Sequence, residues 1–169
     1  MLYSISKYVL GIVDGLVIPV QGVPPITAWI TPPTLEKADG PRAYVWGGAL
    51  KASRQTAPRG AQAGFKKFPW NVSVWLVYLD TPDNARQNEP FPMIIDTVIS
   101  AVQSTTMPLF ISAEGVPMGP NQVNATDTQI QSIGETFDLD YPPERTPATM
   151  KMVWYSARIG LDVLEVVQS

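Results

Sequence analysis

Ser4 and Lys7, in the stretch Ser4-Ile5-Ser6-Lys7, have the spacing of a known catalytic pair. Some acyl-transfer enzymes use Ser-x-x-Lys to place a lysine as the base that activates a serine nucleophile. The companion motifs of those enzymes are missing from the sequence, and a pattern with two fixed positions arises often by chance. We therefore expect Ser4 and Lys7 to belong to an ordinary N-terminal helix.

Grouped carboxylates are the second feature with the residue types for chemistry. Asp80 with Asp83, and Asp138 with Asp140 and Glu144, have spacings that suit general acid and base work or a divalent cation. Both groups lie in or beside turns, where Asp residues commonly form or cap the turn. Turn formation is the simpler explanation, so the sequence predicts no metal site there.

The residue types that are missing restrict the function further. The chain of 169 residues contains no Cys and no His, which excludes disulfides, Cys/His zinc sites, Ser-His-Asp triads and cysteine nucleophiles. Residues 60–67 are rich in Gly and Lys, but they lack the Gly-Lys-Ser/Thr ending of a phosphate-binding loop. The sequence thus predicts a protein that is not an enzyme, with no catalytic residue, cofactor or metal ion.

The stretch Asn71 to Asp80 predicts the central strand of a sheet. Its apolar residues alternate between the two sides of an extended chain, so both faces of the strand are apolar. One face has Val72, Val74, Leu76 and Tyr78, and the other has Trp75, Val77 and Leu79. Pro69 is expected to end the preceding segment. Because such a strand needs a cover on each face, we predict that Trp75, Val77 and Leu79 lie in the core or at an interface.

Periodicity outlines the other elements. Apolar residues at three- and four-residue steps predict helices over Leu2 to Leu16 and Pro92 to Ser104. Strands are predicted at Ile26 to Ile30, Arg42 to Gly47, Leu109 to Ser112, Asp127 to Asp140 with a bulge at Gly134, and from Val153 onward. The first two of these strands are expected to pair as a hairpin with a long connection.

This order of elements predicts a single α+β domain over residues 1–169. We expect a mostly antiparallel, mixed sheet with the two main helices packed on one face. Little of the chain is left to cover the opposite face, so the sequence predicts an oligomer. The stretch from Leu2 to Val20 is the one candidate for a membrane segment, and Lys7 and Asp14 interrupt it, so we expect no membrane contact.

The segment from Gly48 to Trp70, which we call the basic arm, carries most of the charge asymmetry. It has five basic residues and no acidic one, whereas the remaining residues have 7 basic and 15 acidic side chains. The five are Lys51, Arg54, Arg59, Lys66 and Lys67. No helical or strand period appears before Phe65, so we expect a projecting arm. It is either a solvated loop or an interface segment that contacts an acidic neighbouring subunit or a phosphate backbone.

Several stretches of the chain resemble the tail terminator proteins of long-tailed bacteriophages of the siphovirus type. The residues that carry the resemblance most are Ser132-Ile133-Gly134-Glu135, Tyr141-Pro142-Pro143-Glu144-Arg145 and the closing stretch Leu164-Glu165-Val166-Val167-Gln168. The N-terminal helix, the basic arm before Asn71 and the Pro92 to Ser104 helix are also part of the resemblance. The resemblance covers most of the chain.

The resemblance implies a structural virion protein, assembled in the host cytoplasm and located at the head-tail junction. Such subunits form a hexameric ring that caps the head-proximal end of the tail tube. Their partners are the tail tube protein and the head connector or stopper protein, and the DNA passes through the ring channel. Two other classes stay open: another neck or tail component, such as a head-tail stopper, a head completion protein or a tube subunit, and a small hydrolase that uses acidic residues.

Overall fold

The computed structural model describes residues 2–30, 40–47, 55–56, 65–81, 89–107, 109–119, 121–122, 128–140 and 153–168. Within them the chain forms an α+β domain with one eight-stranded sheet and two helices, as the sequence predicts. In chain order the elements are α1 (Leu2–Val13), β1 (Thr27–Trp29), β2 (Arg42–Gly47), β3 (Gln55–Thr56), β4 (Phe65–Asp80), α2 (Pro90–Gln103), β5 (Leu109–Ile111), β6 (Pro117–Met118), β7 (Thr128–Asp140) and β8 (Val153–Gln168).

The sheet is ordered β1-β2-β4-β8-β7-β5-β6, and β3 pairs with the first part of β4. Strands β4 and β8 are both 16 residues long and pair antiparallel along their whole length, from Phe65 opposite Gln168 to Asp80 opposite Val153. Every other pairing is antiparallel except that of β1 with β2. The segment predicted to be central is therefore central, and the long C-terminal strand is confirmed.

The prediction that β1 and β2 form a hairpin is wrong, because the two strands run parallel with Thr27 opposite Arg42 and Trp29 opposite Tyr44. A hairpin reverses the chain, whereas parallel neighbours need a connection long enough to return to the same end of the sheet. The twelve residues between Trp29 and Arg42 provide that length.

The prediction that Pro69 separates the central strand from what precedes it is also wrong, since β4 begins at Phe65. Proline lacks an N–H, and within sheets it is tolerated where no neighbouring strand requires that donor. On one side of β4, Lys66 and Lys67 pair with β3 and the pairing with β2 starts only at Val72. Pro69 lies in the gap between these two pairings, so β4 continues through it.

A buried polar contact stabilises this early part of β4. The indole N–H of Trp70 donates a hydrogen bond to a carboxylate oxygen of Glu165, whose side chain is only 3% exposed. Phe68 stacks on Trp70 with ring centroids 6.4 Å apart. A buried carboxylate needs such donors, so the contact fixes β4 against β8 at this level.

The hydrophobic core lies between the helices and one face of the sheet. Alternate residues of β4 enter it, and so do the apolar stripes of α1 and α2. These fully or nearly fully buried residues include Val72, Val74, Leu76 and Tyr78 of β4, Ile5, Val9 and Val13 of α1, and Ile94, Val98 and Val102 of α2. Each helix follows the predicted periodicity, although α2 begins at Pro90 rather than Pro92. The helix positions on one face of the sheet are as expected.

The irregularity predicted at Gly134 is confirmed. Gly134 has a φ of 64°, and the β7–β8 register shifts between Ile133 and Phe137. A side chain at this position would also approach the Cγ1 atom of Val102 to 2.9 Å. Glycine therefore satisfies both the left-handed backbone and the close packing against α2.

In the part of the chain that the structure describes, no helix combines the length and the apolar character that crossing a bilayer requires.

Candidate interaction surface

The side of the sheet opposite the two helices, which we call the open face, is the candidate site. Residues of β4 alternate between the two sides, and those absent from the core define this face. Its members are Trp29 of β1, Arg42, Tyr44 and Trp46 of β2, Lys67, Asn71, Ser73, Trp75, Val77 and Leu79 of β4, Trp154, Ser156, Arg158 and Asp162 of β8, and Asp138 and Asp140 of β7. Among the described residues, neither helix contributes to it.

One line of paired residues crosses five strands of the open face. The line contains one residue from each strand, namely Trp29, Tyr44, Trp75, Arg158 and Asp140. Three aromatic rings are thus followed by a cation and then by a carboxylate. Cross-strand neighbours interact directly, so the open face divides into an aromatic part on β1, β2 and β4 and a polar part on β8 and β7.

The aromatic part, the aromatic row, consists of Trp29, Tyr44, Trp75 and Trp46. Trp29 stacks on Tyr44 with centroids 5.6 Å apart, and Tyr44 is 6.4 Å from the tilted ring of Trp75. Trp46 meets Trp75 edge to face at 6.5 Å. Tyr44 is buried between its neighbours, whereas Trp29 at the end of the row is 40% exposed. Contiguous aromatic surface of this kind is enriched at protein interfaces.

The polar part is organised by Arg158. Its guanidinium donates to the hydroxyl oxygen of Ser73 from Nε at 3.2 Å and from Nη2 at 3.0 Å. Ser73 itself is fully buried, so the arginine lies over β4 rather than over β7. Asp138 and Asp140 are exposed and have no ion pair with Arg158 within the described structure. The carboxylates of β7 therefore face solvent with their charge uncompensated by this cation.

A hollow of about 230 Å³ lies beside Arg158, because the residue at the centre of the polar part has no side chain. That residue is Gly160, which pairs with Ser73 on one side and with Asp138 on the other. The hollow is lined by Asn71, Asp138, Leu139, Asp140, Arg158 and Gly160. Asn71 also donates a long hydrogen bond of 3.5 Å to Asp162. The lining has two carboxylates, one amide and one guanidinium, so it suits a group that forms hydrogen bonds or pairs with a carboxylate.

The three residues predicted to be core or interface all lie on the open face. Val77 is 8% exposed, and Trp75 and Leu79 are half-buried. Their partial burial is provided by cross-strand neighbours such as Arg42, which is opposite Val77. These residues lie outside the core between the sheet and the helices, and their role at an interface stays a prediction.

The described part of the predicted basic arm is short. Gln55–Thr56 forms β3, and residues 65–70 form the start of β4, where Lys66 and Lys67 pair with β3. Lys67 is exposed and shares the open face with Asn71. Lys51, Arg54 and Arg59 lie outside the described residues, so the interface role of the arm stays a prediction.

Ser4 and Lys7 both contact the turn between β5 and β6. The Ser4 hydroxyl donates to the carbonyl oxygen of Ala113 at 2.9 Å, and the Lys7 ammonium pairs with the Glu114 carboxylate at 2.9 Å. The hydrogen bond with Glu114 is the main cause that raises the pKa of Lys7, with Tyr3 contributing. A raised pKa keeps the Lys7 side chain protonated at neutral pH and unable to accept a proton, so these contacts fit helix docking rather than activation of a serine.

The predicted carboxylate groups do not converge on a metal site within the described residues. Asp80 is buried at the end of β4, where its Oδ1 accepts a hydrogen bond of 2.7 Å from the backbone N–H of Thr81. This is the turn role that the sequence suggests. Asp138 and Asp140 lie on the open face, while Asp83 and Glu144 fall outside the described residues.

Sequence reasoning missed the aromatic row and the position of Arg158. The alternation in Arg42-Ala-Tyr-Val-Trp46 does place Tyr44 and Trp46 on one side of a strand. Joining them to Trp29 and Trp75 needs the parallel β1–β2 register, which no local pattern reveals. The same limit applies to Arg158 and Ser73, which are 85 residues apart in the chain.

No protein-family model matches the chain, and no curated protein matches it.

Proposed function

We propose that this chain is a structural subunit of the tail terminator type, which forms a ring on the head-proximal end of a siphovirus tail tube. In this role the ring ends tube polymerisation and joins the tail to the head connector or stopper protein in the virion. The observation that carries the proposal is the open face: both helices cover one side of the sheet, and the other side presents an aromatic row with Trp29 40% exposed.

The physical argument for assembly is the position of these rings. Exposed contiguous apolar surface on a small protein usually marks an interaction site. A face built on five paired strands is rigid, and rigid aromatic anchors lose little entropy on binding. The family and the number of six subunits come from the resemblance of residues 132–135, 141–145 and 164–168 to tail terminators.

The experiment that tests the function is deletion of the coding sequence from its phage, followed by electron microscopy of the particles. Loss of a terminator gives overlong tails, or tails without heads, and complementation restores uniform length. Absence of tail tubes would instead assign the chain to the tube itself. Normal particles would overturn the proposal.

Sedimentation of the purified protein gives an independent result. The proposal expects particles at several times the 18.5 kDa of one chain, alone or with tail tube. A monomer under both conditions contradicts ring assembly, whatever the phage phenotype.

A further inference from the structure

We propose that the open face is the docking surface for a second copy of this chain, which covers the aromatic row and places the basic start of its β4 against the β7 carboxylates. This inference rests on the proposed function, because it names the surface through which neighbouring ring subunits meet. It adds which residues make the contact between subunits and which pairs of opposite charges favour that contact.

The aromatic row is the first step of the argument. Tyr44 is buried between Trp29 and Trp75, so the row is already ordered in the single subunit and needs no rearrangement to bind. Trp29 and Trp75 keep part of their surface in water. Tryptophans in preformed positions of this kind are the residues that dominate binding at protein interfaces.

Charge complementarity identifies the occupant. The exposed Lys67 lies on the open face at the start of β4. The carboxylates lie farther along: through β8, Asp138 is level with Ser73 of β4, and Asp140 is level with Trp75. The basic and acidic ends of one face are therefore several residues apart along the strand, too far to neutralise each other within one subunit. A second copy can place its Lys67 beside Asp138 and Asp140 of the first copy.

The orientation of Arg158 leaves the acidic end available. If Arg158 paired with Asp140, its direct cross-strand neighbour, the carboxylate would already be compensated. Arg158 instead donates from Nε and from Nη2 to the hydroxyl oxygen of Ser73. The hollow above Gly160, lined by Asp138 and Asp140, then provides space for a lysine ammonium from the neighbouring subunit.

The composition of the whole chain supports the same occupant. The basic arm carries five positive charges and no acid on a chain whose other residues carry an excess of eight negative charges. Lys66 and Lys67 are its last two basic residues, and both belong to β4. Exposed charges of opposite sign on identical subunits attract at low ionic strength, and salt weakens that attraction.

Charge exchange tests the proposal. Three variants are compared with the wild type by sedimentation over a range of concentrations: Asp138→Lys/Asp140→Lys, Lys66→Glu/Lys67→Glu, and the combination of all four. Each pair of reversals should raise the concentration needed for association about tenfold or more, because like charges then face each other. The combination should recover most of the loss, since it restores opposite signs.

Two controls separate charge from fold. Glu89→Lys/Asp96→Lys changes the net charge as much as the β7 pair does, but both residues are exposed on the helix side, so association should stay as in the wild type. Trp29→Ser should weaken association, whereas Tyr3→Ser, which removes an aromatic ring that is 56% exposed on α1, should not. Circular dichroism of each variant checks that the fold is retained.

The outcomes distinguish the two proposals. A wild type that never associates contradicts the proposed ring function, and this inference falls with it. A wild type that associates, with both charge-reversed pairs behaving like the wild type, overturns the open-face inference and leaves the ring function standing. Weakened association in either pair without recovery in the fourfold variant also overturns it, because the two charge groups then do not meet.

Discussion

Arg158 donates two hydrogen bonds to Ser73, a diagonal neighbour on β4, and none to Asp140, the residue directly opposite it on β7. This choice determines the electrostatics of the open face. The cation binds a fully buried hydroxyl, and the exposed carboxylates Asp138 and Asp140 of β7 form no ion pair with it. The polar part of the face is therefore ordered without being neutralised.

We expect Ser73→Ala to lower the free energy of unfolding by about 1 kcal/mol, since a hydrogen bond to a partly solvated cation contributes modestly. Arg158→Ala and the double variant complete a double-mutant cycle, measured by urea denaturation. A coupling energy of about 0.5 kcal/mol or more is expected for residues in contact. Strictly additive effects would show that the two hydrogen bonds do not contribute to stability.

Gly115→Ala should destabilise the fold by about 2 kcal/mol or more, because two separate effects oppose a side chain there. Gly115 has a φ of 74°, and an added Cβ would lie 2.6 Å from the backbone nitrogen of Tyr8 and 2.7 Å from the carbonyl oxygen of Ser4. Thermal unfolding followed by circular dichroism measures the loss.

Gly11→Ala is the matched control for Gly115→Ala. Gly11 lies in α1, and nothing is within 4 Å of the position that its Cβ would take. Alanine has the higher helix propensity, so this variant should be more stable by about 0.5 to 1 kcal/mol. A destabilised Gly11→Ala would mean that the α1 surface at this position is not free.

The protein should lose stability in alkaline solution through Tyr78. Burial raises the pKa of Tyr78 above its ordinary value of 10.0, and the nearby Asp80 carboxylate raises it further. The folded state therefore keeps the phenol proton at a pH where the unfolded chain has lost it. Because the unfolded state then binds fewer protons, stability is intact below about pH 10 and falls as the pH rises through the folded-state pKa.

Tyr78→Phe removes this ionisation. Urea midpoints of the wild type and the variant, compared at pH 8 and at about pH 11, should show a smaller alkaline decrease in the variant. Part of the decrease should remain, because burial also raises the pKa of Tyr8. Equal decreases in the two proteins would count against Tyr78 as a source of the pH dependence.

Lys66→Glu/Lys67→Glu separates protein contact from DNA contact by the basic arm. Contacts between exposed charges are worth about 0.2 to 1 kcal/mol each, so repeated pairs should hold a ring and weaken toward about 1 M salt. Loss of the ring or of tail attachment supports protein contact. Normal virions with defective genome ejection support DNA contact in the channel. Wild-type behaviour in both assays would make the arm a solvated loop.

The alternating and helical patterns predicted the two helices and the longer strands, but not the two-residue strands β3 and β6. The two-faced pattern of Asn71 to Asp80 gave the central strand, and the bulge at Gly134 followed from a glycine inside a strand pattern. Both signals are local, because burial on a sheet repeats every two residues and a left-handed backbone favours glycine.

Pairing between distant strands was the part that local patterns did not contain. A proline such as Pro69 is compatible with a strand only where no neighbouring strand on one side needs its N–H. Local sequence does not reveal which strand pairs with β4 at that position. The direction of β1 relative to β2 depends on the path between them. The open face combines residues of five strands, so its composition was predictable in part, at Trp75, Val77 and Leu79, while its layout was not.

The long pairing of β4 with β8 also governs how the chain folds. Between the paired residues Asp80 and Val153 lie 72 residues of the chain. The centre of the sheet therefore cannot close until β8 has been synthesised, and until then the edge of β4 that pairs with β8 has no partner strand. Contacts between such distant segments slow folding and favour aggregation of the nascent chain. We expect slow refolding, on the order of milliseconds to seconds, and a yield that depends on chaperones or on low temperature during expression.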